Sequence, residues 1–413
     1  MAGKSTKSVA LGVVRKLLSA GYEAYFAGGC VRDMLLGRRP GDYDIATDAS
    51  PGQIKSLFRR VLMVGARFGV AVVLKGDQQV EVATFRSDVS YSDGRRPDSV
   101  RFSSPAEDAL RRDFTINGMF YDPLSDEVID YVGGRDDLAA GIVRTIGVPA
   151  ERFAEDYLRM LRGPRFAIRL GFDLDGATAR EIARKSANIT SISGERIFDE
   201  LSKMLSGPAP AMALEMLDEL GLASEILPEL FDVEAPGLWE RAVGRVQQGG
   251  KYRQKYLALT CLLAELGVGA IRKIVRRWGG SNELREAVSW VSTHLDKFSD
   301  ASEMSLADFK RLIANDNFGL LRRLWQIHER MLTGKITAGR SISRRINGID
   351  PASIDPPALV TGEDLKALGL AESPALGRIL KILRDGQLNE TLLTRSSAMK
   401  EAKRLAQVNP ERK

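Results

Sequence analysis

The chain of 413 residues contains only two cysteines and two histidines, and this scarcity limits its chemistry. Cys30 and Cys261 are too few for a disulfide framework or a cysteine-rich zinc site. His294 and His328 are too few for a phosphohydrolase with several histidine ligands or for an HExxH protease. Chemistry at a metal centre held by several histidines is therefore excluded.

Long apolar runs are also missing. No stretch approaches the roughly 18 consecutive apolar residues that indicate a membrane-spanning helix. The first residues, MAGKSTKSVALGVVRKLL, lack the apolar core of a secretion signal. We therefore expect a soluble, cytoplasmic protein that makes no use of a membrane.

The net charge of +6 is modest but unevenly distributed. Residues 201–240 hold one lysine and eight acidic side chains, whereas residues 241–280 hold nine basic side chains and one glutamate. The basic stretch either forms solvated helix faces or follows a phosphate backbone. If the second interpretation holds, the candidate RNA contacts are Arg253, Arg272, Lys273, Arg276 and Arg277.

The sequence pattern changes from strand-rich to helix-rich along the chain. The first 150 residues alternate short β-rich runs with turns and two helical stretches around Val9–Ser19 and Pro51–Phe58, which predicts a small mixed sheet flanked by helices. The predicted strands are Tyr22–Ala27, Tyr43–Ala46, Val70–Leu74, Val80–Phe85 and Val128–Val132. From about Arg152 the apolar residues recur every three or four positions, which predicts helices, the first over Arg152–Leu170. The stretch TGEDLKALGL near the end, Thr361–Leu370, predicts a capped helix.

The densest chemical signal is FAGGCVRDMLLGRRPGDYDI, residues 26–45. A strand leads into Gly28 and Gly29, and a helix follows. Glycines there allow a phosphate to approach the backbone, whose free N–H groups favour anions. Further on, Asp42 and Asp44 are two residues apart on a predicted strand and so share a face. Paired carboxylates favour a hard divalent cation, above all Mg²⁺, that still has room for triphosphate oxygens.

This segment resembles the polymerase-β-type nucleotidyltransferases, and specifically the class II tRNA nucleotidyltransferases, which have bacterial poly(A) polymerases as close relatives. Further matching segments follow in order along nearly the whole chain: RSDVSYSDGRRPDSVRF from Arg86, RRDFTINGM from Arg111, DYVGGRDDLAAGIVR from Asp130, EDYLRMLR from Glu155 and GERIFDEL from Gly194. The second of these departs from the commoner family pattern by Gly118 in place of alanine.

The resemblance implies an α+β fold, with a catalytic head of about 1–140 followed by an all-helical neck (141–208), body (209–330) and tRNA-binding tail (331–413). It implies that Asp42 and Asp44, with Glu81 as a third candidate, hold Mg²⁺ against the triphosphate and the RNA 3′-hydroxyl. Arg32 is a candidate for either a phosphate contact or an internal ion pair with an acidic neighbour.

The resemblance also implies roles along the rest of the site. Arg111 and Arg112 would neutralise the triphosphate, while Asp113 would accept from the ribose 2′-hydroxyl beside Asn117. The base-selecting residues implied by the resemblance are Glu155, Asp156, Arg159 and Arg162. A carboxylate and a guanidinium on one helix face would pair with C or A and leave G and U unmatched. The flexible loop implied by the resemblance contains Asp88, Tyr91, Asp93, Arg95, Arg96 and Pro97.

The resulting hypothesis is a template-independent enzyme that adds C, A or both to tRNA 3′ ends from CTP and ATP and releases pyrophosphate. Two alternatives stay open: a bacterial poly(A) polymerase and a non-catalytic RNA-binding protein on the same scaffold. The stretch Val64–Val73 and the tail from Leu359 resemble the tRNA enzymes. Family members that add only CC lack an intact loop, so A addition is expected, but the sequence does not separate full CCA addition from A addition alone.

Overall fold

The computed structural model describes residues 6–63, 68–88, 100–249, 254–298 and 300–408. The chain divides into two compact units, one of residues 1–232 with 277–279 and the other of residues 233–276 with 280–413. Among the described residues, no helix combines the length and the apolar character that crossing a membrane requires.

The first unit contains a seven-stranded mixed sheet with the strand order β3-β4-β5-β2-β1-β8-β9. Neighbouring strands are antiparallel except β2 and β5, which are parallel. Two small two-stranded sheets, β6-β7 and β10-β11, complete the strands. The bounds are β1 Ala24–Ala27, β2 Asp44–Thr47, β3 Val61–Leu62, β4 Val70–Lys75, β5 Gln78–Thr84, β6 Arg86–Asp88, β7 Val100–Phe102, β8 Phe120–Asp122, β9 Glu127–Ile129, β10 Ile142–Val143 and β11 Asp173–Leu174.

Helices surround this sheet and continue beyond it. Their bounds are α1 Thr6–Ser19, α2 Gly29–Leu35, α3 Pro51–Leu57, α4 Pro105–Leu110, α5 Gly134–Ala140, α6 Pro149–Glu155, α7 Arg159–Leu170, α8 Gly176–Lys185, α9 Gly194–Leu205, α10 Pro210–Glu219 and α11 Leu222–Ile226. The first helix shows how the sheet is covered, because Val9, Val13 and Leu17 recur every four residues on one buried face. That face packs into the same apolar core as Phe26 and Ile45 of the sheet.

The second unit is helical in the part that the structure describes. Its helices are α12 Leu238–Gly249, α13 Leu257–Leu263, α14 Val268–Arg277, α15 Asn282–His294, α16 Leu306–Ile313, α17 Phe318–Thr333, α18 Thr337–Asn347, α19 Gly362–Ala367, α20 Pro374–Leu388 and α21 Arg395–Val408. The last three share a small core that includes Leu365, Ile379 and Ala402. The helix predicted from TGEDLKALGL is confirmed, because the Thr361 hydroxyl accepts from the Asp364 N–H and the Asp364 carboxylate accepts from the Thr361 N–H.

The predicted fold class is confirmed, since a mixed sheet precedes a mostly helical region. The neck expected to be all-helical also contains the short paired strands β10 and β11. The single helix predicted over Arg152–Leu170 is wrong. The chain forms α6 and α7 there, separated by three residues. Asp156 takes an extended conformation (φ −155°, ψ 104°), and its carboxylate accepts the Leu158 N–H at 3.0 Å. This hydrogen bond from the backbone two residues on stabilises a turn at Asp156, between the end of α6 and the start of α7.

Candidate active site

The site begins at the turn between β1 and α2. Gly28 has φ +72°, a conformation that favours glycine, and α2 starts at Gly29. A Cβ atom on Gly28 would lie 3.0 Å from Nη1 of Arg112. The missing side chain therefore lets an arginine from a distant segment approach the turn.

Asp42 and Asp44 face solvent next to this turn. Asp44 is the first residue of β2, where it pairs with Ala27 of β1, and Asp42 immediately precedes the strand. Tyr43 and Ile45 between and after them are buried, whereas both aspartates are exposed. The predicted alternation is confirmed, so the two carboxylates share a face.

The surroundings of Asp44 disfavour its negative charge. The protein around this carboxylate removes part of its hydration, and the nearby charges of Glu81 and Asp42 add repulsion; together they raise the pKa of Asp44 to about 6. Arg112 opposes the shift. Ionisation of this carboxylate costs free energy when it stands alone and becomes favourable when a cation lies beside it. The oxygen donors of Asp42 and Asp44 therefore fit a hard divalent ion.

Glu81 lies on β5, the parallel neighbour of β2. The register pairs Ile45 with Val82, which puts Glu81 beside Asp44 in the adjoining strand. Among the described residues, no three His, Cys, Asp or Glu side chains form a group that could hold a metal ion. The metal-ligand role of Glu81 stays a prediction, while its electrostatic effect on Asp44 is a feature of the site.

Arg111 and Arg112 follow α4, and both contact one carboxylate. Asp108 accepts from Nη2 of Arg111 at 2.7 Å and from Nη2 of Arg112 at 2.9 Å. Burial alone would raise the pKa of Asp108, but Arg112 and Arg111 outweigh it and lower that pKa. Sequence analysis did not single out Asp108, although its i,i+3 and i,i+4 spacing to the two arginines is the helical ion-pair pattern.

A buried polar network crosses the site from α2 to α7. Arg32 contacts Asp33 at 2.7 Å and also donates to Oδ1 of Asn117 at 2.7 Å. Asn117 donates to Asp113 at 3.2 Å, and Asp113 accepts from Nε of Arg162 at 2.7 Å. The internal ion pair expected for Arg32 is formed, and its phosphate contact stays a prediction.

Asp113 is the most strongly stabilised carboxylate of this network. Its burial would raise its pKa, but Arg162 and Arg159 lower that pKa to about 2. It is therefore ionised at neutral pH and accepts hydrogen bonds only. Arg162 in turn has its pKa raised, chiefly by Asp113.

The predicted base-selecting residues lie on either side of the break between α6 and α7. The prediction that Asp156 and Arg159 share one face of a single helix is wrong. Asp156 accepts from Nη2 of Arg196 at 2.6 Å, whereas Arg159 donates to Glu155 at 2.5 Å and to the backbone carbonyl of Arg111 at 3.2 Å. Each is therefore oriented by its own partner rather than by the other.

The first unit contains a cleft of about 1000 Å³, and Glu81, Asp108 and Glu155 are absent from its described lining. Its described lining includes Gly28, Gly29, Asp42, Asp44, Arg111, Arg112, Asp113, Asn117, Asp156, Arg159 and Arg162. That described lining holds nine basic and five acidic side chains, and Asp42 and Asp44 are two of the acidic ones. A cleft with this charge suits a polyanion that carries its own divalent cation.

Comparison with known proteins adds independent evidence. The family described as "Poly A polymerase head domain" matches residues 24–144, and "Probable RNA and SrmB- binding site of polymerase A" matches residues 171–233. The CCA-adding enzyme of Geobacillus thermodenitrificans is 40% identical over 281 residues, 67% of each chain. That of Lactobacillus delbrueckii subsp. bulgaricus is 31% identical over 398 residues, which is 95% of this chain and 96% of the relative.

This chain belongs to the CCA-adding enzyme family. The crystal structure of the Bacillus stearothermophilus CCA-adding enzyme in complex with CTP agrees, with a TM-score of 0.77 and 29% identity over 96% of this chain and 98% of that one. A Thermotoga maritima CCA-adding enzyme complexed with tRNA has the same fold, with a TM-score of 0.65 at 19% identity. The protein is accordingly a nucleotidyltransferase.

Within this CCA-adding family member, the structure describes the predicted flexible loop and the predicted RNA-contact residues only in part. Tyr91, Asp93, Arg95, Arg96 and Pro97 of the predicted loop lie outside the described residues, as does Arg253. Asp88 ends β6. Arg272, Lys273 and Arg276 are exposed on α14. Arg277 instead forms an ion pair with Glu229 at 2.7 Å, so its charge is compensated within the protein.

Arg196 is the second functional candidate that sequence analysis missed. It lies in GERIFDEL on α9, a segment that the resemblance included without a role for this residue. It contacts Asp156 across 40 positions of sequence, and no local pattern relates residues so far apart.

Proposed function

We propose that this CCA-adding family member extends tRNA 3′ ends with C and A without a template, using CTP and ATP and releasing pyrophosphate. One observation carries the proposal: Asp42 and Asp44 face the same cleft as Arg111, Arg112, Asp156 and Arg159. A cation site, a polyanion site and a base-reading pair within one cleft are the parts that nucleotidyl transfer needs. A tRNA substrate implies a cytoplasmic enzyme.

The family uses a divalent metal ion, and we propose Mg²⁺ held by Asp42 and Asp44. When bound there, the ion would stabilise the negative charge that develops on the phosphoryl group during transfer. The two carboxylates would supply hard oxygen ligands on one face of the chain at the start of β2. The raised pKa of Asp44, which reflects partial loss of hydration and repulsion from Glu81 and Asp42, supports this assignment because a cation would relieve that repulsion.

Arg111 and Arg112 would bind the triphosphate. Each keeps N–H groups beyond those that contact Asp108, and both line the cleft. Charge-assisted hydrogen bonds from arginine to phosphate are among the strongest in proteins. Asp113, ionised and held by Arg162, would accept a hydrogen bond from a ribose hydroxyl, while Asn117 keeps it in place.

Asp156 and Arg159 would read the base. A carboxylate accepts from the exocyclic amine of C or A, and a guanidinium donates to the neighbouring ring nitrogen. G and U present a carbonyl beside an N–H, which would leave both protein groups unmatched. Support for this proposal comes from the separate anchors of the two groups, Arg196 for Asp156 and Glu155 for Arg159.

The deciding experiment offers two tRNA substrates, one without CCA and one ending in CC, with CTP and ATP supplied separately. The proposal expects two C residues on the first and one A on the second, each dependent on Mg²⁺. Asp42→Ala and Asp44→Ala should each lose at least about 90% of incorporation, since loss of a metal ligand costs several kcal/mol of barrier, and tRNA binding should change little.

Other outcomes would identify the alternatives. Long A tails on RNAs other than tRNA would indicate a poly(A) polymerase. Tight tRNA binding without incorporation from either nucleotide would indicate a non-catalytic RNA-binding protein. Incorporation of A alone, on tRNA ending in CC, would restrict the proposed function to A addition.

A further inference from the structure

One buried carboxylate holds both arginines that precede Asp113. Asp108 lies on α4 and is 1% exposed. Its Oδ1 accepts from Nε and Nη2 of Arg111 at 2.9 and 2.7 Å. Its Oδ2 accepts from Nε and Nη2 of Arg112 at 3.1 and 2.9 Å. Each carboxylate oxygen of Asp108 therefore binds the Nε–Nη2 side of one guanidinium group.

Asp108 stands behind the arginines rather than in the cleft. Arg111 and Arg112 line the cleft, whereas Asp108 is absent from its described lining. Burial would raise the pKa of Asp108, yet the two arginines lower it, so the carboxylate is charged at neutral pH. A buried charge of this kind is retained only where it is fully paired.

Further contacts fix the direction of both guanidinium groups. Arg111 also donates to the Arg86 carbonyl at 3.0 Å, and Arg112 donates to the Asn117 carbonyl at 3.4 Å. Asp108 accepts the Arg86 N–H at 3.2 Å, which ties the start of β6 to the same point. Because Gly28 has no side chain, Arg112 lies close to the turn before α2.

Two adjacent guanidinium ions repel each other, and long side chains lose rotamer entropy when they bind a ligand. The shared carboxylate removes both difficulties before a nucleotide arrives. Beyond the N–H groups that bind Asp108 and the Arg86 and Asn117 carbonyls, each guanidinium keeps further N–H groups for a ligand, and both arginines line the cleft. The pair is therefore pre-organised for an anion that spans both arginines, such as a polyphosphate.

We propose that Asp108 is a positioning residue that sets the affinity of the site for the phosphates of the incoming nucleotide and not for its nucleoside. This rests on the proposed function, in which Arg111 and Arg112 bind the triphosphate. Two effects of its removal have opposite signs. Loss of a negative charge would strengthen phosphate binding, whereas loss of orientation would weaken it, so the sign of the change decides whether positioning dominates.

The test measures the dissociation constants of ATP, ADP and AMP by equilibrium dialysis, at fixed Mg²⁺ and without tRNA. Asp108→Asn should weaken ATP binding about tenfold, ADP binding less, and AMP binding by under twofold. Glu107→Gln is the matched control, because Glu107 is an exposed acid on the same helix, next to Asp108. It should leave all three constants unchanged.

Unchanged or tighter ATP binding by Asp108→Asn would overturn the proposal, since charge would then outweigh orientation. Equal losses for ATP and AMP would also overturn it, because Asp108 would then support the fold in general. If Asp108→Asn does not fold, Asp108→Glu decides: it keeps the charge but displaces both guanidinium groups, so ATP should still lose more affinity than AMP. A wild-type protein that binds ATP no better than AMP would instead contradict the proposed function.

Discussion

Asp44 combines features that usually oppose each other, because it is open to the cleft and yet costly to ionise. The partial loss of hydration and the charges of Glu81 and Asp42 raise its pKa to about 6, above the ordinary value of 3.8. Such a group lowers the free energy of unfolding, but it leaves an ionised oxygen ligand in place for a cation. The consequence can be measured without any substrate.

In metal-free buffer, the folded state binds the Asp44 proton more tightly than the unfolded state does, so stability decreases as pH rises through about 4 to 6 and stays lower above that. Because solvent screens part of the repulsion at this exposed carboxylate, we expect Asp44→Asn to raise Tm at pH 7.5 by at most a few °C, an increment that shrinks as pH falls towards 4. Differential scanning calorimetry in EDTA provides the measurement.

Added Mg²⁺ is the control for this prediction. It should raise the Tm of the wild-type protein and have much less effect on Asp44→Asn, since an ion that binds only the folded state stabilises it by mass action. A variant that is less stable than wild type at pH 7.5 in EDTA would show that the Asp44 carboxylate contributes favourable contacts instead.

At the scale of elements, the break between α6 and α7 determines how the base-reading pair is held. Because the chain turns at Asp156, its carboxylate is reached by Arg196 of α9, while Arg159 stays with Glu155 of α6. Three elements rather than one helix face therefore position the two groups. The pair should act together on selectivity even though the two side chains do not contact each other through a shared ion pair.

Arg159→Ala and Asp156→Ala should each lower the preference for ATP or CTP over GTP or UTP by about tenfold or more, because an unmatched buried group costs about 1–3 kcal/mol. The measurement is the ratio of incorporation efficiencies on tRNA lacking CCA and on tRNA ending in CC. Tyr157→Phe is the control and should leave the ratio unchanged, since Tyr157 is absent from the described cleft lining. A uniform loss with all four nucleotides would make the pair a structural support.

A second element-scale feature is the buried ion pair between Arg165 of α7 and Glu200 of α9, with side chains 8% and 2% exposed. Glu200→Gln leaves Arg165 without its charged partner in a buried place, and we expect a loss of about 3–5 kcal/mol in the free energy of unfolding. Urea denaturation of the full chain measures it. Glu401→Gln is the control, because its partner Arg404 is exposed and the pair should add little.

At the scale of the whole molecule, the basic side chains of residues 241–280 differ in whether their charge is already paired within the protein. Arg245 is buried and bound to Glu265, and Arg277 is paired with Glu229, so neither charge is available to a polyanion at no cost. Arg272, Lys273 and Arg276 are exposed together on α14. Among the described basic side chains of this stretch, these three are exposed together on one helix, and we expect them to form phosphate contacts with an RNA.

Reversing Arg272, Lys273 and Arg276 to glutamate should weaken tRNA binding and reduce the slope of log affinity against log salt by up to about 2.7, or about 0.9 for each lost phosphate contact. Filter binding over a salt series measures the slope. Arg184→Glu, which reverses an exposed but paired arginine, should leave the slope nearly unchanged. An unaltered slope in the triple variant would assign α14 to the solvated surface.

Local patterns determined much of this protein. The alternation of Asp42, Tyr43, Asp44 and Ile45 predicted a shared carboxylate face, and TGEDLKALGL predicted a capped helix, because strand pleat and helix capping act over a few residues. The resemblance built on such motifs predicted the fold class and the family. Periodicity failed at Asp156, where a side chain that bonds its own backbone outweighed the apolar pattern.

Only the tertiary structure decided which partner each charged side chain takes. Arg32 pairs with Asp33, the next residue, and only the packing of α2 against the Asn117 segment gave it Asn117 as a second partner. Asp156 meets Arg196 because α9 packs against α7, a contact between residues 40 positions apart. Ion pairs form between groups that the fold brings within about 4 Å, and sequence spacing carries that information only within a helix or strand.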